Sequence, residues 1–193
     1  MARPLFYNMW SAFHFLPRFK EISAEIIQSG SKSILDLGCG TGLFKKYYPA
    51  CDYVGIDNNP RYIEYAKKNL SGTFILGDIL ELEKHLGSSR FDAVILNGVL
   101  HHLEDQSIKM LTKKVGEYLN PDGRIIIVDH IYNESLNVIN RLLLKYDRGS
   151  FSRTKSSFQT LFKVFNIASY EEFIINAGPI VFWVQCRIVL KIK

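Results

Sequence analysis

Ser33-Ile34-Leu35-Asp36-Leu37-Gly38-Cys39-Gly40-Thr41-Gly42 is the stretch on which the fold turns. A short apolar run that breaks into three closely spaced glycines predicts a buried strand, a tight loop and then a helix. Such units let the backbone approach a ligand, and a helix start offers N–H groups to an anion. Asp57 stands 21 residues beyond Asp36 and ends a second apolar run that starts at Tyr53. A separation near 20 puts an acidic side chain at the end of the second strand, where it can accept from the two hydroxyls of a ribose. The two runs together point to a ribose-containing ligand at the carboxyl edge of the first two strands.

Working outward, Pro60–Leu70 reads as a helix opened by a proline, and Thr73–Leu76 as a third strand. Phe91–Leu96 is a fourth strand, followed by a helix around Gln106–Leu119, a turn at Asn120-Pro121-Asp122-Gly123 and a fifth strand at Arg124–Val128. Continuous rather than alternating apolar runs predict strands covered on both faces, hence a doubly wound α/β sheet. Residues 5–29 predict two helices, the first rich in Phe, Tyr and Trp, and Glu134–Tyr146 carries a helical apolar stripe. A basic loop over residues 147–155 precedes a helix near Ser156–Phe165. The chain closes with Ile167–Ile175 and Ile180–Ile192, joined by Asn176-Ala177-Gly178-Pro179 as an antiparallel hairpin, for seven strands in all. The expectation is a single domain: a helical cap (1–32), a ligand-binding core (33–131) and a closing segment (132–193).

The composition sets outer limits. With 193 residues, 47% hydrophobic and 22% charged, the chain is globular and needs no metal or disulfide staple. Its three cysteines are an odd number without a C-x-x-C pair, so neither a disulfide framework nor a zinc site is expected. A reducing, cytoplasmic setting follows, with no signal peptide and no membrane span. The net charge of +5 is uneven. Residues 34–131 hold 11 basic and 13 acidic side chains, whereas residues 132–193 hold nine and four. The basic excess near the end of the chain suits an anionic partner or a solvated surface.

The glycine spacing selects the ligand. A dinucleotide fingerprint reads G-x-G-x-x-G, but here Gly38-x-Gly40-x-Gly42 is followed by Leu43. The sequence resembles class I S-adenosylmethionine-dependent methyltransferases. Asp36–Gly42 looks like their first motif, Val54-Gly55-Ile56-Asp57 like the second and Gly77-Asp78-Ile79 like the third. Phe91–Val94 through Val99–Leu103 looks like the fourth, and Leu119–Arg124 matches the turn before strand five. The resemblance implies S-adenosylmethionine as cofactor and S-adenosylhomocysteine as product. By it, Asp36, Gly38, Cys39, Gly40 and Gly42 face the methionine moiety and Asp57 holds the ribose. Asp78 accepts from the adenine amino group, Ile79 and Asn58 flank the ring, and Asn97 lies near the amino acid end. Cys39 reads as a small space-filler in the glycine loop.

Methyl transfer needs an aligned nucleophile, and a base only if the acceptor is protonated. His101 and His102 follow strand four and are the candidate catalytic residues, with His130 at the end of strand five behind them. Tyr7 is a candidate for the cofactor carboxylate, and Trp10 belongs to an aromatic lid with Phe6, Phe13 and Phe15. Arg148 and Arg153 on the basic loop are candidate substrate contacts. The acceptor is then an oxygen or nitrogen of a small molecule, and an anionic group on it fits the arginines. Three alternatives stand beside this reading: a nucleic-acid methyltransferase, a nicotinamide oxidoreductase, and a cofactor-binding module without catalysis. The sequence does not speak to oligomeric state.

Overall fold

The computed structural model describes residues 30–132, 153–177 and 180–192, together with Pro4, Ser23, Ile26 and Phe151. The N-terminal aromatics (Tyr7 and Trp10 among them), the helix expected at 134–146, Arg148 and the Gly178-Pro179 link lie outside the described residues. The strands are β1 (Ser33–Leu37), β2 (Asp52–Asp57), β3 (Thr73–Leu76), β4 (Phe91–Asn97), β5 (Leu119–His130), β6 (Asn166–Ala177) and β7 (Ile180–Lys191). The helices are α1 (Pro60–Asn69), α2 (Glu83–Leu86), α3 (Asp105–Glu117) and α4 (Lys155–Leu161). The seven strands form one sheet in the order β3-β2-β1-β4-β5-β7-β6. β1 pairs parallel with β2, and β2 with β3; β7 pairs antiparallel with both β5 and β6. Because the order turns back after β1, the glycine loop leaves the sheet at a topological switch point, where such sheets bind ligands. No helix among the described residues is long and apolar enough to cross a membrane.

Two compact units divide the chain: residues 1–95 with 118–120, and 96–117 with 121–193. In the first unit β1 is buried from Ile34 to Leu37, as its unbroken apolar run requires. α1 starts where Asn59 accepts from the Arg61 N–H (3.1 Å), has Pro60 in its first turn, and buries Ile63 and Ala66. In the second unit α3 buries Ile108, Leu111, Thr112 and Val115, one stripe at helical spacing. The Ile125–Val128 stretch of β5 is at most 2% exposed.

Two expectations change. The glycine loop feeds not a full helix but a 3-10 turn of five residues, Leu43–Tyr47. Gly42 offers this turn no side-chain cap, and Pro49 follows closely. Lys45, buried, donates from Nζ to the Tyr48 carbonyl (2.8 Å) and reaches those of Pro49 and Cys51, closing the segment. A turn this short has no helix N-terminus to offer an anion. Second, the turn expected at Asn120–Gly123 is extended backbone and belongs to β5. The Tyr118 carbonyl accepts from the Phe91 N–H (2.8 Å), and Asn120 Nδ2 donates to Asp92 (2.7 Å), so the start of β4 holds this segment straight. Pro121, which has no N–H to give, sits in its exposed part.

Candidate active site

The first unit supplies a cradle of backbone and carboxylates. Gly38, Gly40 and Gly42 all have positive φ (75°, 56° and 69°), a conformation that side chains resist. At Gly42 a Cβ would also meet the Phe74 ring at 2.5 Å. The N–H groups of Gly38 and Cys39 donate to the Ile56 carbonyl at 2.8 and 3.1 Å, tying the loop to β2. Asp57, at the end of β2, completes the tie: Oδ2 accepts from the Gly40 N–H and Oδ1 from the Asn59 N–H, both at 2.8 Å. Each oxygen has a second lone-pair direction, so the carboxylate can still accept from a diol. Burial raises the Asp57 pKa, and the two backbone donors counter it.

Asp36 is 1% exposed, and Tyr53 on the neighbouring strand donates its hydroxyl to Oδ2 at 2.5 Å. Burial pushes this carboxyl from 3.8 to about 7, the Tyr53 bond lowers it and the Asp57 charge raises it. Cys39 is buried, and burial together with Asp36 and Asp57 pushes its thiol far above the usual range. Its Sγ lies 2.8 Å from where a Cβ on Gly55 would stand, so it fills the space beside β2. Asp78 is exposed and caps the short turn at Ile79–Glu81 by accepting from the Leu80 N–H at 2.9 Å. That cap uses one of about four acceptor positions of a carboxylate. Asn58 is exposed beside Asp57, and Ile79 is half-buried beside Asp78.

The second unit brings together the histidines. Asp129 is fully buried near the end of β5, with four donors on its carboxylate. Oδ2 accepts from the Leu100 and His101 N–H groups (2.6 and 3.2 Å), Oδ1 from the His130 N–H (2.7 Å), and Oδ1 lies 2.6 Å from His101 Nδ1. Burial opposes its ionisation, but His101, then His130, outweigh burial and hold Asp129 below the ordinary carboxylate range. An ionised Asp129 can only accept, so His101 carries its proton on Nδ1 and Nε2 is the basic nitrogen. The His101 ring stacks on His130 (4.8 Å, 17°) and tilts against His102 (4.1 Å, 48°). His101 is buried; His102 is exposed. His101, Asp129 and His130 place one ligand atom each within 4.8 Å of one another, the spacing of a metal cluster. A metal ion there would have to displace donors already seated on Asp129. Asn97, at the carboxyl end of β4, has a buried Oδ1 with no hydrogen-bond partner.

Arg153 departs from its expected place at a substrate. It is 6% exposed, and its guanidinium donates to Asp105 and to the carbonyls of Leu100, Leu103 and Phe151 at 2.6–3.1 Å. Its donors are taken up in holding the segment after β4. Sequence reasoning missed two partners that set the site, Tyr53 and Asp129. Asp129 carried a signal, an acid closing the apolar run Ile125–Val128; Tyr53 read as one more strand aromatic. A cleft of about 560 Å³ lined by Thr112, Gly116, Leu161 and Phe165 contains none of the expected site residues.

The donor set suits the cofactor that the resemblance implies. A diol needs the acceptors of Asp57, and an ammonium group needs a buried acceptor such as the Asp36 carboxyl. A family model described as a methyltransferase domain matches residues 28–163. An uncharacterised methyltransferase of Schizosaccharomyces pombe is 32% identical over 112 residues, covering 51% of this chain and 39% of that protein. A Papaver somniferum protein named as a scoulerine-9-O-methyltransferase is 30% identical over 165 residues, 79% of this chain and 45% of its own length. The chain thus spans under half the length of both relatives. Among solved structures, magnesium protoporphyrin IX methyltransferase from Synechocystis PCC 6803, with bound S-adenosylhomocysteine, overlays with a TM-score of 0.71 at 14% identity. That match covers 92% of this chain and 83% of the other, and it concerns the fold.

Proposed function

The chain belongs to the methyltransferase-domain family of the class I S-adenosylmethionine-dependent type, and on that premise we propose that it methylates an oxygen or nitrogen atom of a small molecule. The observation that carries this reading is the bond from the Gly40 N–H to Asp57, which joins the glycine loop to the acid that a ribose needs. When bound, S-adenosylmethionine supplies an electrophilic methyl group on a sulfonium and leaves as S-adenosylhomocysteine.

In this reading Asp57 accepts from the ribose hydroxyls, Asp78 from the adenine amino group, and Ile79 and Asn58 flank the ring. Asp36 accepts from the ammonium group, and the Gly38–Gly42 backbone shapes the pocket floor. His101 takes the acceptor's O–H or N–H proton on Nε2, and Asp129 stabilises the imidazolium that results. His102, exposed next to it, contacts the acceptor. An oxygen acceptor agrees with the name of the Papaver relative. A small molecule suits residues 34–131, which are weakly acidic and would not attract a nucleic acid. Three free cysteines, two of them buried, are in keeping with a cytoplasmic setting.

The test is incubation with S-adenosylmethionine carrying a labelled methyl group and separate panels of phenols, amines and carboxylic acids. Label in an organic product, with S-adenosylhomocysteine formed one for one, supports the reading. Cofactor binding without transfer to any panel would favour the non-catalytic module instead.

A further inference from the structure

Gln185 is the polar exception in β7. Val184, Cys186, Ile188, Val189 and Leu190 are buried apolar residues, and Gln185 among them is 1% exposed. Both ends of its amide, Oε1 and Nε2, are buried without a hydrogen-bond partner. A buried amide left unbonded is disfavoured, and native folds leave few such groups without a reason. The register places it. Gln185 lies opposite His130 on β5 and opposite Phe173 on β6, and the Ile131 N–H donates to the Val184 carbonyl (3.0 Å) to fix that alignment. Residues directly opposite in an antiparallel pair project from the same face. Gln185 therefore stands beside His130, whose ring stacks on His101, the proposed base.

We infer that Gln185 recognises the methyl acceptor through a neutral group carrying an N–H beside a C=O, a carboxamide or lactam. A primary amide offers one donor edge and one acceptor edge in a plane, and such a group answers both at once. A carboxylate could accept from Nε2 but would leave Oε1 facing another acceptor. The described arginine of the basic segment, Arg153, is committed to Asp105 and backbone carbonyls and does not supply a counter-charge. The inference rests on the methyl-transfer reading and narrows its acceptor from small molecules in general to neutral amide-bearing ones.

The experiment titrates 15N-labelled protein, saturated with S-adenosylhomocysteine, with benzamide, 2-pyrrolidone and benzoate, following the Gln185 side-chain amide signal. Gln185→Met assigns that signal by its loss. Benzamide and 2-pyrrolidone are expected to move it saturably, and benzoate at least tenfold more weakly. Gln185→Met is also expected to melt higher than the parent without ligand, because the unpaired amide is gone. Equal response to benzoate, no response to either amide, or a lower melting point for Gln185→Met would overturn the assignment. A parent protein that S-adenosylhomocysteine fails to stabilise, yet whose Gln185 signal responds to benzamide, would sink the methyl-transfer reading and leave the amide site standing.

Discussion

Asp129 Oδ1 lies 2.6 Å from His101 Nδ1, and the same carboxylate accepts from the backbone N–H groups of Leu100 and His101. One buried acid thereby fixes both where the histidine sits and which ring nitrogen holds its proton. In the proposed mechanism Asp129, which accepts from four donors, is the positioning group and His101 the base.

Asp129→Asn tests that division. An asparagine can present an N–H to Nδ1 and so move the histidine proton to Nε2. Nitrogen-15 spectra of the His101 ring should show the Nδ1–H form in the parent and a shift towards Nε2–H in the variant. Turnover of any acceptor found should fall by about 10²–10⁴-fold, with S-adenosylhomocysteine affinity unchanged. Retention of both tautomer and rate would remove His101 from the mechanism.

Asp36 gives a pH signature. Its carboxyl rises from 3.8 to about 7 in the fold, with burial as the main cause. A raised acid contributes its stability below the unfolded value, and that contribution is lost as pH rises through about 7. Ionising it in the fold costs about 4 kcal/mol more than in the unfolded chain, to within a kcal/mol or so. Asp36→Asn should therefore gain on the parent steadily between pH 4 and 7 in urea melts and hold that gain above. A parallel pair of curves would show that Asp36 ionises normally. If Asp36 meets an ammonium group, calorimetry at pH 6 in buffers of different ionisation heat should also detect proton release on binding S-adenosylmethionine.

Asp57→Ala should weaken S-adenosylhomocysteine binding by about 1–3 kcal/mol by leaving ribose hydroxyls without their acceptor. Because Asp57 also holds the Gly40 and Asn59 N–H groups, some stability goes with it. Calorimetric affinity, measured where the variant is folded, separates the two effects. Unchanged affinity would remove Asp57 from the ribose.

Arg153→Ala should act on stability rather than on substrate. It strips donors from the carbonyls of Leu100, Leu103 and Phe151, two of the bonds being only partly buried. Asp105 is 64% exposed, so that ion pair adds little. A loss of about 3 kcal/mol is expected in denaturant unfolding, with cofactor affinity intact. A stable variant with a raised acceptor KM would return Arg153 to the substrate.

The core was legible because its strands are unbroken apolar runs and its loops are marked by glycine. β1 and β3 follow from Ile34–Leu37 and Thr73–Leu76, and the seven-strand count from the five apolar runs and the closing hairpin. The limits were physical. Asn120–Gly123 has turn chemistry, yet long-range bonds from Phe91 and Asp92 hold it extended, and a local reading does not see them. Arg153 looked like a ligand-facing loop arginine because sequence carries no record of which carbonyls surround it. Gln185 is a polar residue in an apolar strand, a signal present in the sequence whose meaning needs the register with His130.

The most direct test of the central claim is thermal unfolding with S-adenosylhomocysteine, S-adenosylmethionine and NAD in separate samples. Ligand at 100 times its dissociation constant adds about 2.7 kcal/mol, and each kcal/mol moves the midpoint of a chain this size by roughly 2–4 °C. A rise of about 5–10 °C with the two adenosyl ligands and none with NAD is the predicted result. A cooperative transition that millimolar S-adenosylhomocysteine does not move, or that NAD moves equally, would contradict it.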